Sequence, residues 1–353
     1  MRVADILIPA ATTGRTASTG ERSSAALPTS RARLRYTIVV SILSVLAVGF
    51  AFGLLAWDNP MPVGSDGFWL IAKMRATNVV VMLIVAFCQA MATVAFQTVT
   101  NNRILTPSIM GFESLYISVQ TTTMYLFGIA GIIAIQGIFQ FSVQIVIMVG
   151  LAMALYGWLL SGRFGNLQIT LLVGIVIGGG LGAVSTFMQR LLTPSEFDVL
   201  TAKLFGNVSN ANPDYFPVAI PLCLLAGAAL WMRSRRLNVM ALGPDAARSL
   251  GVDHRRELLI TLFFVAVLMA TSTSLVGPMT FLGFLVATLA YQFADTHDHR
   301  RVFPVAILTG FVVLAGAYFV MKNIFYAQGA VSIIIELVGG LVFLIVILRK
   351  GRL

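Results

Sequence analysis

The chain has 353 residues, a net charge of +10, 58% hydrophobic residues, 11% charged residues and a mean hydropathy of +0.89. An average soluble domain is about 25% charged, so the composition excludes an ordinary soluble domain and points to a polytopic membrane protein. Its basic excess has a use in orienting the chain in the bilayer, and nucleic-acid binding, which needs a basic patch on a soluble surface, is not expected.

Residues 1–33 begin with a short apolar patch interrupted by Pro9. That patch does not make a signal peptide, and the segment reads as a disordered, basic, cytoplasmic tail. Residues 34–353 read as a single transmembrane domain. A spanning helix needs about 20 mostly apolar residues. Such runs occur at 36–57, 76–96, 110–133, 140–160, 167–188, 216–232, 258–276, 279–294, 302–321 and 330–348. The expected fold is all-α, with about ten transmembrane helices.

An even number of crossings returns the C-terminus to the side of the tail. With both termini inside, every lysine and arginine except Lys73, Arg75, Arg190, Lys203 and Lys322 falls on the cytoplasmic face, as the positive-inside rule requires. Cys88 and Cys223 lie inside apolar runs, where a thiol behaves as a small hydrophobe, and imply no disulfide framework. Two longer loops remain, an outer one over 190–215 and an inner one over 233–257.

No G-x-x-x-x-G-K-[ST] occurs, so ATP is not bound through a P-loop and ATP-driven work needs a partner subunit. No directly bound cofactor or metal is expected. "DTHDHRR", Asp295 to Arg301, offers acids and histidines but reads as a solvated turn without a buried second layer of ligands. Ser272, Ser274 and His254 show no hydrolase spacing. Glu113 and Glu336 are the acids inside predicted spans, and an ionisable group there is a functional hypothesis by default. Glu113 sits at the start of a span, where a helix N-terminus stabilises negative charge. Glu336 is expected to line a pathway. "GIVIGGGLGA", Gly174 to Ala183, suits close helix approach, either within the chain or at a seam with a second one.

"ALGPDAARSLGVDHRR", residues 241–256, is a polar island between two apolar runs. Pro244 suits a first helical turn, Asp245 its positive end and Gly251 a C-terminal cap, so a short helix is expected over 244–250. Leu242, Ala246, Ala247 and Leu250 fall on one small apolar face. Read locally, that face rests either on its own bundle or on lipid, or it meets a partner.

Four stretches resemble the FecCD-type permeases of iron-siderophore, haem and vitamin B12 ABC importers, over nearly all of 36–350. Gln97, Asn102, Pro107 and Gly111 in "FQTVTNNRILTPSIMG" are similar to Q-x4-N-P-L-A-x-P-x3-G, with Arg103 where proline is usual. "RRLNVMALGPDAARSLGV" is similar to R-x-L-N-x-x-x-L-G-x-x-x-A-x-x-L-G-V and is the most specific match. "VGPMTFLGFLVATLAYQ" is similar to G-P-I-x-F-x-G-L-x-x-P-H-x-x-R. There Ala287, Thr288 and Tyr291 replace Pro, His and Arg, which suggests a siderophore branch. "AVSIIIELVGGLVF" matches the final motif at Val331, Gly339 and Phe343.

The resemblance implies a type II ABC importer permease in the cell membrane that carries a ferric siderophore inward, or else haem or vitamin B12. It implies a second permease chain, identical or paralogous, a cytoplasmic ATPase dimer that holds ATP and Mg2+, and an extracytoplasmic siderophore-binding protein. The permease itself would not be an enzyme. Leu242, Gly243, Pro244, Ala246, Ala247, Leu250 and Gly251 would form a coupling helix seated in the ATPase. Gln97, Asn102, Pro107 and Glu336 would belong to the translocation path or its gate. Lys73, Arg75 and Lys322 would dock the binding protein, with Asn78 where a second arginine is usual and Lys203 adding charge. An ion-coupled secondary transporter, marked by broken helices and midplane acids, and a plain membrane anchor are the competing readings.

Overall fold

The computed structural model describes residues 26–27, 29–57, 61–62, 64–134, 137–161, 167–325 and 330–350, and among them there is no strand. Thirteen α-helices follow in order: α1 Ser30–Ala56, α2 Asp66–Val99, α3 Glu113–Ala134, α4 Ile138–Ser161, α5 Leu167–Gln189, α6 Pro194–Leu204, α7 Phe216–Met232, α8 Ser234–Met240, α9 Pro244–Ser249, α10 His254–Val276, α11 Leu282–Ala294, α12 His299–Asn323 and α13 Val331–Lys350. Most of the expected tail lies outside the described residues. Its end is already helical, because Thr29 caps α1 by accepting from the Ala32 amide at 3.1 Å.

Nine described helices are long and apolar enough to cross a membrane. The run at 279–294 departs from expectation. Gly277 and Pro278 end α10, the chain stays non-helical to Phe281, and α11 then has 13 residues, about 20 Å at 1.5 Å per residue. The run at 110–133 is likewise not one continuous helix. A π-helical turn at Ser108–Phe112 precedes α3, and Gly128 bends α3 at φ 60°.

α2 is the axle of the bundle. It packs against α1, α7, α10, α11 and α12, and every residue from Cys88 to Thr100 is buried. Its 34 residues run well past the apolar stretch read from the sequence, because the polar turn at Lys73 and Arg75 remains helical. Lipid tails give apolar side chains no reason to cluster, so helix contact rests on small residues and packing. Gly111, at φ 103°, is the clearest case: its Cα lies 2.9 Å from where a Cβ on Gly178 of α5 would sit. The apolar residues Leu34, Val45, Phe52, Val176, Leu337 and Leu341 point outward, as a lipid-facing or chain-facing surface does.

Two ends can be distinguished by contact, named inner and outer after the orientation expected from the distribution of lysine and arginine in the sequence. The inner end gathers the start of α1, the finish of α2 and α7, all of α8 and α9, and the starts of α10 and α12; Arg35 reaches Asp295 at 2.6 Å and Asn238 reaches Asp298 at 2.9 Å. The outer end gathers the start of α2, the finish of α10 and α12, α6 and the start of α13; Asn78 reaches Tyr318 at 3.1 Å and Ser332 donates its amide to Gly206 at 3.2 Å.

Candidate functional site

The polar island folds as expected into α9, six residues over Pro244–Ser249. It stops with paired bonds: the Gly251 amide donates to Arg248 and the Val252 amide to Ala247, while Gly251 takes φ 79°, which a Cβ would disfavour. Val252 packs back on the core beside Ala247.

The single apolar face read from the sequence is divided in the structure. Ala247 is 0% exposed and packs into its own bundle, whereas Leu242 and Leu250 are 63% and 61% exposed. Ala246 is half-buried. Helical spacing put these residues on one side, but α9 lies flat on the bundle, so its inward and outward flanks separate. The apolar side chains left exposed there are therefore Leu242 and Leu250, with Gly243 and Pro244 setting the turn between α8 and α9.

A buried ion pair frames this excursion. Arg233, at the end of α7, donates to both Glu257 oxygens at 2.7 and 2.5 Å, and Arg236 adds a bond at 3.2 Å. A two-pronged guanidinium–carboxylate contact fixes geometry as well as charge. The sequence reading missed it, although arginine at one edge of a polar loop and glutamate at the other was the available signal.

"DTHDHRR" is also more than a solvated turn. Asp298 caps α12, and His299 is 3% exposed. Its ring nitrogens meet Thr98 Oγ1 at 2.6 Å and Asn238 Oδ1 at 2.5 Å. The histidine is drawn inward because it opens α12, whose first turn packs on α2 and α8, where Thr98 and Asn238 bond its ring. Among the described residues no group of three or more His, Cys, Asp or Glu is placed to hold a metal ion.

Gln97, in the last turn of α2, meets the segment that follows it, where its carbonyl accepts from the Asn102 amide at 3.1 Å. Gln97 Nε2 donates to the Arg103 carbonyl at 2.7 Å, Asn102 Oδ1 accepts from the Ile104 amide at 2.9 Å, and Pro107 starts the π-helical turn. Arg103, which stands where proline is usual, lays its guanidinium 4.7 Å from the centre of the Tyr291 ring. Glu336 lies apart from them, exposed on the second turn of α13. Glu113 is buried and its Oε2 accepts from Thr280 at 2.5 Å, so it ties the start of α3 to the non-helical link before α11.

At the outer end Lys73 is exposed, Lys322 is half-buried in the last turn of α12, and Arg75 donates to the Trp57 carbonyl at 2.6 Å. Lys203 is elsewhere on this end. It lines a cavity of about 400 Å3 with Tyr116, Gln120, Gln144, Asn207 and Tyr215, and burial pushes its ammonium below the usual lysine range. Sequence reading did not find that cavity, because its lining comes from α3, α4, α6 and the end of α10. Gly174 and Gly178 pack on the Ser108–Phe112 turn, while Gly179, Gly180 and Gly182 face open space.

Known proteins share this architecture. The chain is 50% identical over 332 residues to the petrobactin import system permease protein FatC of Bacillus anthracis, covering 94% of each chain. It is 32% identical to the petrobactin import system permease protein YclO of Bacillus subtilis (strain 168), covering 91% of this chain and 99% of that one. A solved inward-facing transporter described as of the metal-chelate ABC type superposes with a TM-score of 0.76 at 20% identity, covering 89% of this chain and 99% of that chain; it shares the fold. The profile of the FecCD transport family matches residues 36–349, and the chain belongs to that family of multi-pass membrane permeases.

Proposed function

We propose that this chain is the permease subunit of an ATP-driven importer that moves a ferric siderophore of the petrobactin kind into the cytoplasm. The observation that carries the reading is 50% identity across 94% of both chains to a petrobactin import permease. The α8–α9 excursion supports it, because a short polar helix presenting Leu242 and Leu250 suits a groove on a partner. ATP and Mg2+ belong to a separate ATPase dimer, since the sequence has no P-loop, and the permease is a transport subunit without chemistry of its own.

In this reading both termini are cytoplasmic, the inner end seats the ATPase, and the outer end receives a siderophore-binding protein through Lys73, Arg75 and Lys322. A second permease chain, a copy or a paralogue, packs against the open glycines of α5. Gln97, Asn102 and Pro107 shape the inner turn of the path and Glu336 lines it.

Proteoliposomes holding the permease, its second permease chain, the ATPase and the binding protein should accumulate ferric petrobactin only with ATP. Accumulation driven by an ion gradient without the ATPase would instead establish a secondary transporter.

A further inference from the structure

His299 joins elements that belong to different parts of the proposed machine. It starts α12; Asn238 stands on α8, in the coupling segment; Thr98 stands on the last turn of α2, beside Gln97. Asn238 Oδ1 accepts the His299 backbone amide at 3.0 Å, and its Nδ2 donates to Asp298 Oδ1 at 2.9 Å. The amide's orientation is thereby fixed, so the imidazole Nδ1, 2.5 Å from the same Oδ1, must carry the proton. In the neutral ring Nε2 is then an acceptor, and the Thr98 hydroxyl, 2.6 Å away, is its donor.

Thr98 cannot serve this bond and its own helix together. Its Oγ1 also lies 2.8 Å from the Val94 carbonyl, and one hydroxyl hydrogen reaches one acceptor. Turned to Val94, it leaves two lone pairs facing each other at the His299 contact, and the contact opens. Turned to His299, it leaves Val94 to Tyr291, whose hydroxyl lies 3.5 Å from that carbonyl. The hydroxyl hydrogen therefore has two alternative acceptors, and only one of them closes the contact with His299. A second tie runs alongside, from Asn101 Nδ2 to the Met240 carbonyl at 3.4 Å. On the far side of Thr98, Gln97 holds the Arg103 carbonyl.

We infer that the Thr98–His299–Asn238 chain is the brace through which movement of the coupling segment reaches the inner end of α2, with His299 a positioning residue for transport. The inference rests on the proposed role of the α8–α9 segment. The ring is bonded at both nitrogens, one bond to the α8–α9 segment and the other to the turn of α2 that carries Gln97.

The test uses the complete reconstituted complex with ferric petrobactin and reads uptake per ATP hydrolysed. Thr98→Val, which keeps the side-chain shape, and His299→Ala should each lower that ratio about tenfold, with hydrolysis and ATPase co-purification within about twofold of the unmodified complex. Combining the two should add little, since both cut one chain of bonds. His299→Asn retains a donor for Asn238 but cannot reach Thr98, and should behave as His299→Ala does. Uptake and hydrolysis falling together would mark a merely structural contact and overturn the brace, as would an unchanged ratio or a fully active His299→Asn. Leu250→Asp separates the parent reading: it should release the ATPase. If it is harmless, the coupling segment is misassigned and the brace loses its purpose with it.

Discussion

At the inner end Glu257 is 3% exposed and takes bonds from two arginines, while at the outer end Arg75 donates to the Trp57 main-chain carbonyl and Lys73 is exposed. The inner contacts join side chain to side chain across α7, α8, α10 and α12. The outer ones are mostly caps and hydroxyl pairs, such as Ser209 with Tyr318 at 3.0 Å. Tying charges together inside the protein gives a surface that moves as a unit. An end with its charges left at the rim can attract a partner and release it. Under the proposed function, the contrast fits a permanent partner inside and a transient one outside.

The largest effect should come from cutting the inner clamp. Removing one member of a buried ion pair costs about 3–5 kcal/mol. Arg233 keeps 21% of its side chain exposed and can reach water, so Glu257→Gln should fall at the lower end, about 3 kcal/mol. Thermal unfolding in detergent checks this. A change below about 0.5 kcal/mol, the size expected of an ordinary surface substitution, would place the two ends on the same footing.

A smaller effect, of a different kind, is expected at the outer rim. Lys73→Glu, at an exposed position, should leave unfolding unchanged and slow association of the binding protein at low salt. The loss should shrink as ionic strength rises, because exposed charges are screened within about 10 Å at 0.1 M. Arg75 is a poorer probe, since its bond to Trp57 also holds α1 to α2. Equal association rates for the variant and the unmodified chain would remove the charge-based docking of that face.

Much of this was legible in the residues, and the failures share a cause. Periodicity, Pro244 and Gly251 placed α9 correctly, and the four family-like stretches gave the fold. Spacing along one helix did not say which flank of α9 met its own bundle, so Ala247 was assigned outward and is buried. Substituting glutamate at Ala247 would therefore damage the permease before it reached any partner. Burial of His299 depends on Thr98 and Asn238, each far from it in sequence, and the cavity beside Lys203 depends on four helices at once. An apolar run also overstates its helix: the span expected over 279–294 follows Gly277 and Pro278, yet Met279, Thr280 and Phe281 stay non-helical and α11 begins only at Leu282.

The smallest effect lies in the capping of α6 and sharpens the comparison from the outer side. Glu196 accepts from the Thr193 amide at 3.0 Å and its hydroxyl at 2.8 Å, the reciprocal cap of a helix start. These bonds favour the ionised form and hold the Glu196 carboxyl below its usual range. The unfolded segment thus binds the proton at a higher pH than the folded one. The cap's contribution is complete above the ordinary carboxylate range and is lost as pH falls through the depressed folded value. Amide exchange of residues 194–204 should show α6 loosening on acidification in the natural chain. Glu196→Gln should start looser and lose that pH dependence, leaving the buried inner contacts unaffected. If both chains loosen in parallel, the titrating group lies elsewhere, and the outer end is held by more than its caps.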